Sequence, residues 1–440
     1  MKLIKLTLAV LVAAGLASCS DKKTEVDNPD GPQGDGTMEV MTPDESKVFL
    51  ENTAIEFLDK FNPEEQREMI ELAAYFDKVY ADYDAPANFE LDNDYDISRY
   101  LRNLAKAAGG DIDGLTRAAA TYSYNIYFER YQGVYTPDLG KKEWVKKASS
   151  NDIVFQFTNA AGQPVEMKIT QSGGTSDFNF TLVDDEWNNS AQDYVKEKYI
   201  YHLSVPKNVS ATLTANGRTL AASTVVSSID AKGHKMSGDI EATLMNIRAT
   251  GKISGTDSKI EARTEFYINN SNVGTAYGTL EGSGLCDLDR YEQLQMMDED
   301  EAFTEMAKMF KTADGGVDVL GKVQIYGQGI YYRELPIDLD GLYCDGSNEA
   351  NYLECKEACE RLNKAIKAQI RYNHTKTDQA TLLFTPRGNG YGDYEMDESI
   401  LFPDGTTYSI EGYYDQFANV SGKFESVLNA YKSIWKQARR

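Results

Sequence analysis

The chain has 440 residues, and its 69 acidic and 45 basic side chains give a formal net charge of −24 at pH 7. A content of 41% hydrophobic and 26% charged residues is ordinary for a globular protein, which excludes wholesale disorder and a polytopic membrane protein. The excess of acid argues against a nucleic-acid partner, which requires a basic face, and the length indicates two or more packed units.

The first residues follow the order of an export signal. Lys2 and Lys5 form a short positive region, and an apolar run follows over residues 6–16. This run is too short to span a bilayer of about 30 Å, but it suits the hydrophobic segment of a signal peptide. It ends in Leu16-Ala17-Ser18-Cys19, which resembles the lipobox of bacterial lipoproteins.

This resemblance covers only the first residues of the chain. It implies that residues 1–18 are a signal peptide, that cleavage leaves Cys19 as the first residue, and that Cys19 carries acyl chains such as palmitate. Two or three acyl chains hold a protein stably on a membrane, whereas one does not. We therefore expect a lipid-anchored protein of the cell envelope. An ordinary secretory signal with an incidental cysteine is the alternative.

Residues 19–41 have no apolar periodicity and are rich in acid and glycine, which predicts a flexible acidic tether. Acidic residues soon after the lipid-carrying cysteine resemble the surface-export signals of Bacteroides-type lipoproteins, although Lys22 and Lys23 interrupt them here. The resemblance implies an outer-membrane location. It leaves open whether the protein faces the periplasm or the cell surface.

Residues 42–120 are predicted to be a helical region. Thr42-Pro43-Asp44-Glu45 combines an N-cap residue, a proline at the first helical position and a glutamate at the third. Asn62-Pro63-Glu64-Glu65 repeats this pattern, and apolar residues at helical spacing follow both starts. A third helix is predicted over residues 97–108, before Gly109-Gly110.

Residues 121–285 change to a period of two and are predicted to be an antiparallel β region with one wet face. Alternation over residues 122–128 predicts a first strand, and residues 153–158 and 165–169 predict a hairpin. Asn216-Gly217 predicts a type I′ turn between two further strands, because both central residues of that turn need positive φ. Later strands are predicted over residues 240–249, 260–268 and 273–280.

Residues 286–440 mix both periods. Helices are predicted over 288–310, with a break near the acidic run 298–301, over 417–434, and from Ser347 onward. The apolar stripe of the helix that opens at Ser347 is predicted to be Cys355, Cys359, Leu362, Ile366 and Ile370. Strands are predicted over 317–326 and 379–385, and over 400–402 with 406–410. The predicted fold class is α+β: N-terminal helices, a large curved antiparallel β-sheet, and C-terminal mixed helices and strands that pack on the sheet.

The cysteines beyond Cys19 are candidates for a disulfide, since an exported protein meets oxidising conditions. Cys355 and Cys359 lie one helical turn apart, which is too far for easy direct bonding. A bridge from Cys344 to Cys355 or Cys359 is one prediction, and packing of these residues as small apolar groups is the other. Their spacing is not that of a zinc site.

No catalytic, cofactor or metal site is predicted. Asp92-Asn93-Asp94-Tyr95-Asp96 opens like a calcium loop, but Ile97 and Asn103 occupy the positions that need glycine and a bidentate glutamate. The three histidines, His202, His234 and His374, lie in no catalytic motif. The glycines Gly274, Gly278 and Gly282 recur on one strand face, where they permit close approach of a helix or ligand.

The sequence therefore predicts a non-catalytic, membrane-anchored envelope lipoprotein that binds a protein, glycan or lipid through a site it does not reveal. The predicted architecture is similar to that of lipid-carrying half-barrel lipoproteins of the bacterial envelope. A secreted hydrolase, for example a glycan-directed one with an unrecognised pair of carboxylates, is the alternative. The oligomeric state stays open.

Lipidation is tested by replacing the predicted anchor residue. Cys19→Ala is expected to abolish labelling by an alkyne analogue of palmitate and to release the protein from the membrane fraction, because it removes the acylated thiol. Cys286→Ala is the control and is expected to leave both unchanged. Continued labelling of the Cys19→Ala protein would sink the prediction.

Overall fold

A computed structural model gives the structure of the chain. It describes residues 37–86, 90–91, 95–96, 124–126, 128–188, 193–329, 343–344, 349–388 and 394–439. The predicted signal peptide, Cys19 and the third helix predicted over 97–108 lie outside the described residues. No helix in the described part is long and apolar enough to span a membrane.

The helices of the described ranges are short or medium in length. They are α1 Pro43–Asp59, α2 Arg67–Val79, α3 Leu288–Met296, α4 Glu299–Met309, α5 Glu349–Ala365, α6 Ile410–Tyr414 and α7 Ala418–Ala438. Helix α1 begins as predicted: Thr42 accepts from the backbone N–H of Glu45, whose carboxylate accepts from the backbone N–H of Thr42, so the capping box is complete. The predicted break in the helical stretch 288–310 is confirmed by the end of α3 and the start of α4.

The strands outnumber the helices among the described residues. The first ten are β1 Glu90–Leu91, β2 Tyr95–Asp96, β3 Tyr124–Ile126, β4 Gly133–Asp138, β5 Glu143–Ala148, β6 Ile153–Thr158, β7 Pro164–Asn188, β8 Asp193–Ala215, β9 Arg218–Asp230 and β10 Lys235–Leu244. The rest are β11 Ile247–Thr256, β12 Lys259–Ile268, β13 Ser271–Gly282, β14 Phe310–Val319, β15 Val323–Gln328, β16 Tyr343–Cys344, β17 Lys367–Tyr372, β18 Asp378–Gly388, β19 Tyr394–Leu401 and β20 Thr407–Ser409.

The α+β class is confirmed, and the sheet is predominantly antiparallel. It is nevertheless mixed, because β3 pairs with β8 and β4 pairs with β6 in parallel. The first strand predicted for the β region is shorter than its alternating pattern suggested: β3 ends at Ile126, and a 3₁₀ turn, Phe128–Tyr131, follows.

The described chain divides into two compact units. Unit 1 contains the described residues up to Asn62 together with Gly251–Leu285 and Thr304–Ala430. Unit 2 contains the described residues of Pro63–Thr250, Cys286–Phe303 and Tyr431–Arg440. Each unit therefore combines stretches that lie far apart in sequence.

Unit 1 packs helices against one face of its strands. The buried side chains of this core come from α1, from four strands and from the region of α6: Leu50, Val323, Ile370, Tyr372, Ala380, Ile400, Phe402, Tyr413 and Phe417. Tyr372 is fully buried, and its hydroxyl is hydrogen-bonded to Ser46 of α1. Burial of apolar area on this scale stabilises the unit by about 25 cal/mol for each Å² removed from water.

Unit 2 has an aromatic core. Tyr135 is fully buried, and its hydroxyl donates to the backbone carbonyl of Tyr131 at 2.7 Å. The Trp144 ring packs edge-on against Phe155, with ring centroids 5.1 Å apart. Helix α2 adds Leu72 to a second cluster with Val165, Ala215 and Leu220. Aromatic rings thus contribute much of the buried surface of this unit.

The longest pairing in the described chain joins β7 to β8 within unit 2. Its register runs from Val165 with Ala215 to Asn188 with Asp193 and contains one bulge. Gln295 of α3 lies against the side of β7, where its side-chain amide accepts from Val183 N at 2.9 Å and donates to Thr181 O at 3.2 Å. A helix side chain therefore supplies the partners that a further strand would supply.

The turn residues explain which hairpins were predictable. Asn216 and Gly217 both have positive φ, so the type I′ turn is confirmed. The strand predicted over 240–249 is wrong, because the chain turns at Met245, with φ 55°, between β10 and β11. The strand predicted over 317–326 is wrong for the same reason: Leu320 and Gly321 have positive φ and join β14 to β15.

Helix α5 also differs from its prediction at its end. Cys355, Cys359 and Leu362 form the predicted buried stripe, but the helix stops at Ala365, and Ile370 lies on β17. The chain turns between the end of α5 and the start of β17, and Asn363 lies beside β18. It contacts β18 at Phe384, beyond Leu382, the last residue of β18 that pairs with β17. Its amide donates to Phe384 O at 2.8 Å and accepts from Phe384 N at 2.7 Å.

Replacing Asn363 tests this contact. Asn363→Ala is expected to lower the free energy of unfolding by about 1–3 kcal/mol, because it leaves two part-buried backbone groups without their protein partner. Arg361→Ala, at an exposed position of the same helix, is the control and is expected to change it by less than about 0.5 kcal/mol. Urea denaturation measures the unfolding midpoint of each variant. Equal midpoints for Asn363→Ala and Arg361→Ala would contradict the role of Asn363 as a partner of the β18 backbone.

Candidate ligand-binding face

Five strands of unit 1 present opposite chemistry on their two faces. Side chains alternate along each strand, so Val319, Ile325 and Ile370 point into the helix-covered core. The opposite face carries two rows of aligned residues, which we call the Tyr–Arg face. One row is Arg263, Tyr277, Gly316, Tyr326 and Gln369, and the other is Glu265, Thr275, Asp318, Gln324 and Arg371.

Tyr277 covers the one position of the first row that has no side chain. Gly316 separates Tyr277 from Tyr326, and a Cβ atom built on Gly316 would lie 2.7 Å from Tyr277 Oη and 3.0 Å from Ile325 O. The phenol therefore rests on the backbone of β14 at a place that only glycine leaves open. Its ring lies along the sheet rather than standing away from it.

Tyr326 and Arg371 form the second feature of the face. The guanidinium carbon of Arg371 lies 5.2 Å from the centroid of the Tyr326 ring, within the range of a cation–π contact. Arg371 Nε also donates to Asp378 at 2.6 Å, and Gln369 donates to the other oxygen of the same carboxylate at 2.6 Å. The guanidinium is consequently fixed in position over the ring.

Asp318 holds the second row in place. One oxygen accepts from Gly321 N at 2.8 Å, and the other accepts from the side chain of Gln324 at 3.3 Å. His374 Nε2 lies 3.1 Å from the latter oxygen, and the backbone N–H of His374 donates to Gln324 Oε1 at 2.9 Å. These bonds join the β14–β15 turn to the β17–β18 turn.

The charges of the face are paired locally. Arg263 Nη2 lies 2.8 Å from Glu265, whose second oxygen accepts from Tyr267 Oη at 2.8 Å. Both side chains of this ion pair remain partly exposed, with 40% of Arg263 and 24% of Glu265 accessible, so the pair adds little to stability.

The two phenols of the face are protonated well above neutral pH. Burial raises the pKa of Tyr277 and of Tyr326, and the neighbouring Asp318 charge raises both further. The structure shows no hydrogen-bond partner for either hydroxyl among the described residues. Each phenol can therefore both donate and accept a hydrogen bond with a ligand.

The residues singled out from sequence are only partly brought together. Cys355 and Cys359 are buried on α5, and Cys344 lies in β16 beside β19. The side chain of Cys344 lies outside the described ones, so the bridge from Cys344 to Cys355 or Cys359 stays a prediction. Cys19 and the residues Asp92–Asp94 of the calcium-like run also lie outside the described residues.

The histidines have separate surroundings. His202 Nδ1 lies 2.7 Å from Asn179 Oδ1 on the β7–β8 hairpin, and His234 Nε2 lies 3.9 Å from Asp287. His374 is the one that joins the Tyr–Arg face, which sequence reasoning missed. A turn histidine with positive φ and no motif gives no signal from sequence alone.

Glu398 of β19 is the described carboxyl that most resembles a catalytic acid. Desolvation, with the neighbouring Asp397 charge adding to it, raises the pKa of Glu398, although the residue is exposed. Asp397 points to the opposite face of β19 and lies 3.3 Å from Arg387, so these two carboxyls cannot flank one bond. No group of three or more potential metal ligands occurs among the described residues.

The fit between Tyr277 and Gly316 can be tested directly. Gly316→Ala is expected to lower the free energy of unfolding by about 1–3 kcal/mol, because the new methyl group displaces the phenol. Gly274→Ala is the matched control in the same sheet, since its Cβ would meet nothing closer than Asp318 O at 3.9 Å. Thermal and urea unfolding distinguish them, and a Gly316→Ala protein as stable as the control would refute the contact.

Searches against protein-family models, curated proteins and solved structures find no match to this chain. The Tyr–Arg face is therefore defined by its geometry alone. The sequence carries only one sign of this face, which is the alternation of polar and apolar residues along β12–β15 and β17. The register of those strands is what aligns their polar residues in two rows.

Proposed function

We propose that the mature chain is a lipid-anchored protein of the cell envelope that binds a ligand through the Tyr–Arg face. The observation that carries the binding proposal is the pair of half-buried phenols, Tyr277 and Tyr326, whose hydroxyls have no partner in the described part of the chain. Neither hydroxyl oxygen is among the buried unpartnered atoms of the described residues, so each is open to a hydrogen bond with a ligand. The lipobox resemblance at Cys19 supports the anchorage.

The start of the described chain suits a tether that ends at unit 1. Met38 N donates to Thr377 Oγ1 at 3.2 Å, Met41 N donates to Gln379 Oε1 at 2.8 Å, and Gln379 Nε2 donates to Glu39 O at 3.2 Å. The last residues of the predicted tether are thus in contact with β18 and its preceding turn. Residues 19–37 remain as the proposed tether, with an r.m.s. reach of about 24 Å.

We further propose that the sheet is curved. Supporting this, the register shifts at a bulge between Phe266 and Tyr267 in β12, between Glu281 and Gly282 in β13, and between Ile370 and Arg371 in β17. Bulges bend the strand that carries them and increase its twist. Curvature would turn the two rows of the Tyr–Arg face toward a common ligand.

The other classes of function have weaker support. A hydrolase needs two cooperating carboxyls, and Glu398 has no such partner in Asp397. A purely structural scaffold would not require two unpartnered phenols and a fixed guanidinium on one solvent-accessible face. Binding without catalysis is accordingly the function that the arrangement suits best.

Native mass spectrometry of the chain, extracted in mild detergent from the cells that make it, tests this proposal. We expect an adduct, and its removal should accelerate backbone hydrogen exchange in β13, β14 and β15, because the ligand restricts opening of those strands. Strand β9 of unit 2 is the internal control. A bare protein mass, or an adduct that protects other segments, would contradict binding at this face.

A further inference from the structure

We infer that the ligand of the Tyr–Arg face is a neutral oligosaccharide. This inference rests on the proposed function and specifies its ligand class. It follows from four properties of the face: the pairing of its charges, its arrangement of donors and acceptors, the ring of Tyr277, and its length.

The charge balance points to a neutral ligand. Arg263 is paired with Glu265, and Arg371 is paired with Asp378. Asp318 is held by a backbone N–H, an amide and His374. An anionic ligand would have to displace a carboxylate from its guanidinium, and a cationic ligand would have to compete with the backbone, amide and His374 contacts of Asp318.

The donors and acceptors match hydroxyl groups. The phenols of Tyr277 and Tyr326 each donate and accept, as sugar hydroxyls do. Beside them, the amide of Gln369 and the guanidinium of Arg371 lie in fixed orientations set by Asp378. Arg371 Nη2 also donates to Gln369 Oε1 at 3.2 Å, and the N–H groups that these bonds leave over can donate to sugar hydroxyls.

The orientation of the Tyr277 ring adds an apolar platform. The hydroxyl end of the Tyr277 ring lies over Gly316, so the ring extends across β14 and keeps apolar area on the face. An aromatic face of this kind can pack against the C–H groups of a sugar ring, while the polar groups around it bind the hydroxyls. A lipid chain would instead cover the phenol hydroxyls and the remaining N–H groups without offering them a hydrogen bond.

The length of the face favours a chain of sugars over one sugar. The first row crosses β12, β13, β14, β15 and β17, which are consecutive neighbours in the sheet. Four strand spacings correspond to about 19 Å from Arg263 to Gln369. Tyr277 and Tyr326 lie two spacings apart, about 9.6 Å, so one ligand can contact both.

Isothermal titration calorimetry of the full chain in detergent tests the inference. The neutral probes are maltohexaose, cellohexaose, mannohexaose and xylohexaose, and the acidic probe is a hexamer of galacturonate. Tyr277→Leu removes the aromatic ring and is expected to weaken binding of whichever neutral probe the unmodified chain binds by about tenfold. Tyr326→Phe removes one hydroxyl and is expected to weaken binding of the same probe about fivefold.

Tyr352→Leu is the matched control, because Tyr352 is an exposed tyrosine of α5 outside the Tyr–Arg face, and it is expected to leave affinity unchanged. Unfolding midpoints of all variants show whether each is folded. Unchanged affinity in a folded Tyr326→Phe protein, exclusive binding of the galacturonate hexamer, or no binding of any probe would overturn the inference. A non-carbohydrate adduct that protects β13–β15 would overturn it while leaving the proposed function intact.

Discussion

Strand edges in this protein depend on side-chain carboxamides. A strand beyond its last backbone partner exposes N–H and C=O groups that must be satisfied, and a carboxamide offers one donor and one acceptor in a single plane. Asn363 does this for β18, Gln295 does it for β7, and Gln379 does it for the extended segment before α1. Helices and the N-terminal segment are thereby positioned by hydrogen bonds as well as by apolar contact.

The Tyr–Arg face likewise depends on contacts between particular side chains and neighbouring strands. Gly316 has to lack a side chain so that Tyr277 can lie across β14, and the β14–β15 turn has to place Asp318 beside His374 and Gln324. The face is thus held by contacts between strands and turns that are distant in sequence. Rigid placement of polar groups lowers the entropic cost of binding a flexible ligand such as an oligosaccharide.

Local patterns predicted local structure well. The capping box at Thr42, the turn at Asn216-Gly217 and the buried cysteine stripe of α5 all follow from residues close together in the chain. The turns at Met245 and Leu320 were missed because their first residues rarely adopt positive φ and the alternation runs through them. The Tyr–Arg face could not be predicted, because its rows depend on strand register, which no short pattern determines.

The contact of the first described residues with unit 1 has a mechanical consequence. A protein held by lipid at its N-terminus experiences any drag from solvent or a bound ligand as tension at Met38 and Met41. That tension acts on three hydrogen bonds, to Thr377 and to Gln379 of β18, and on the packing of Met38 and Met41 against the core of unit 1. In the lipid-anchored protein that we propose, release of this segment would lengthen the tether and leave the pairing of β18 with β17 and β19 in place.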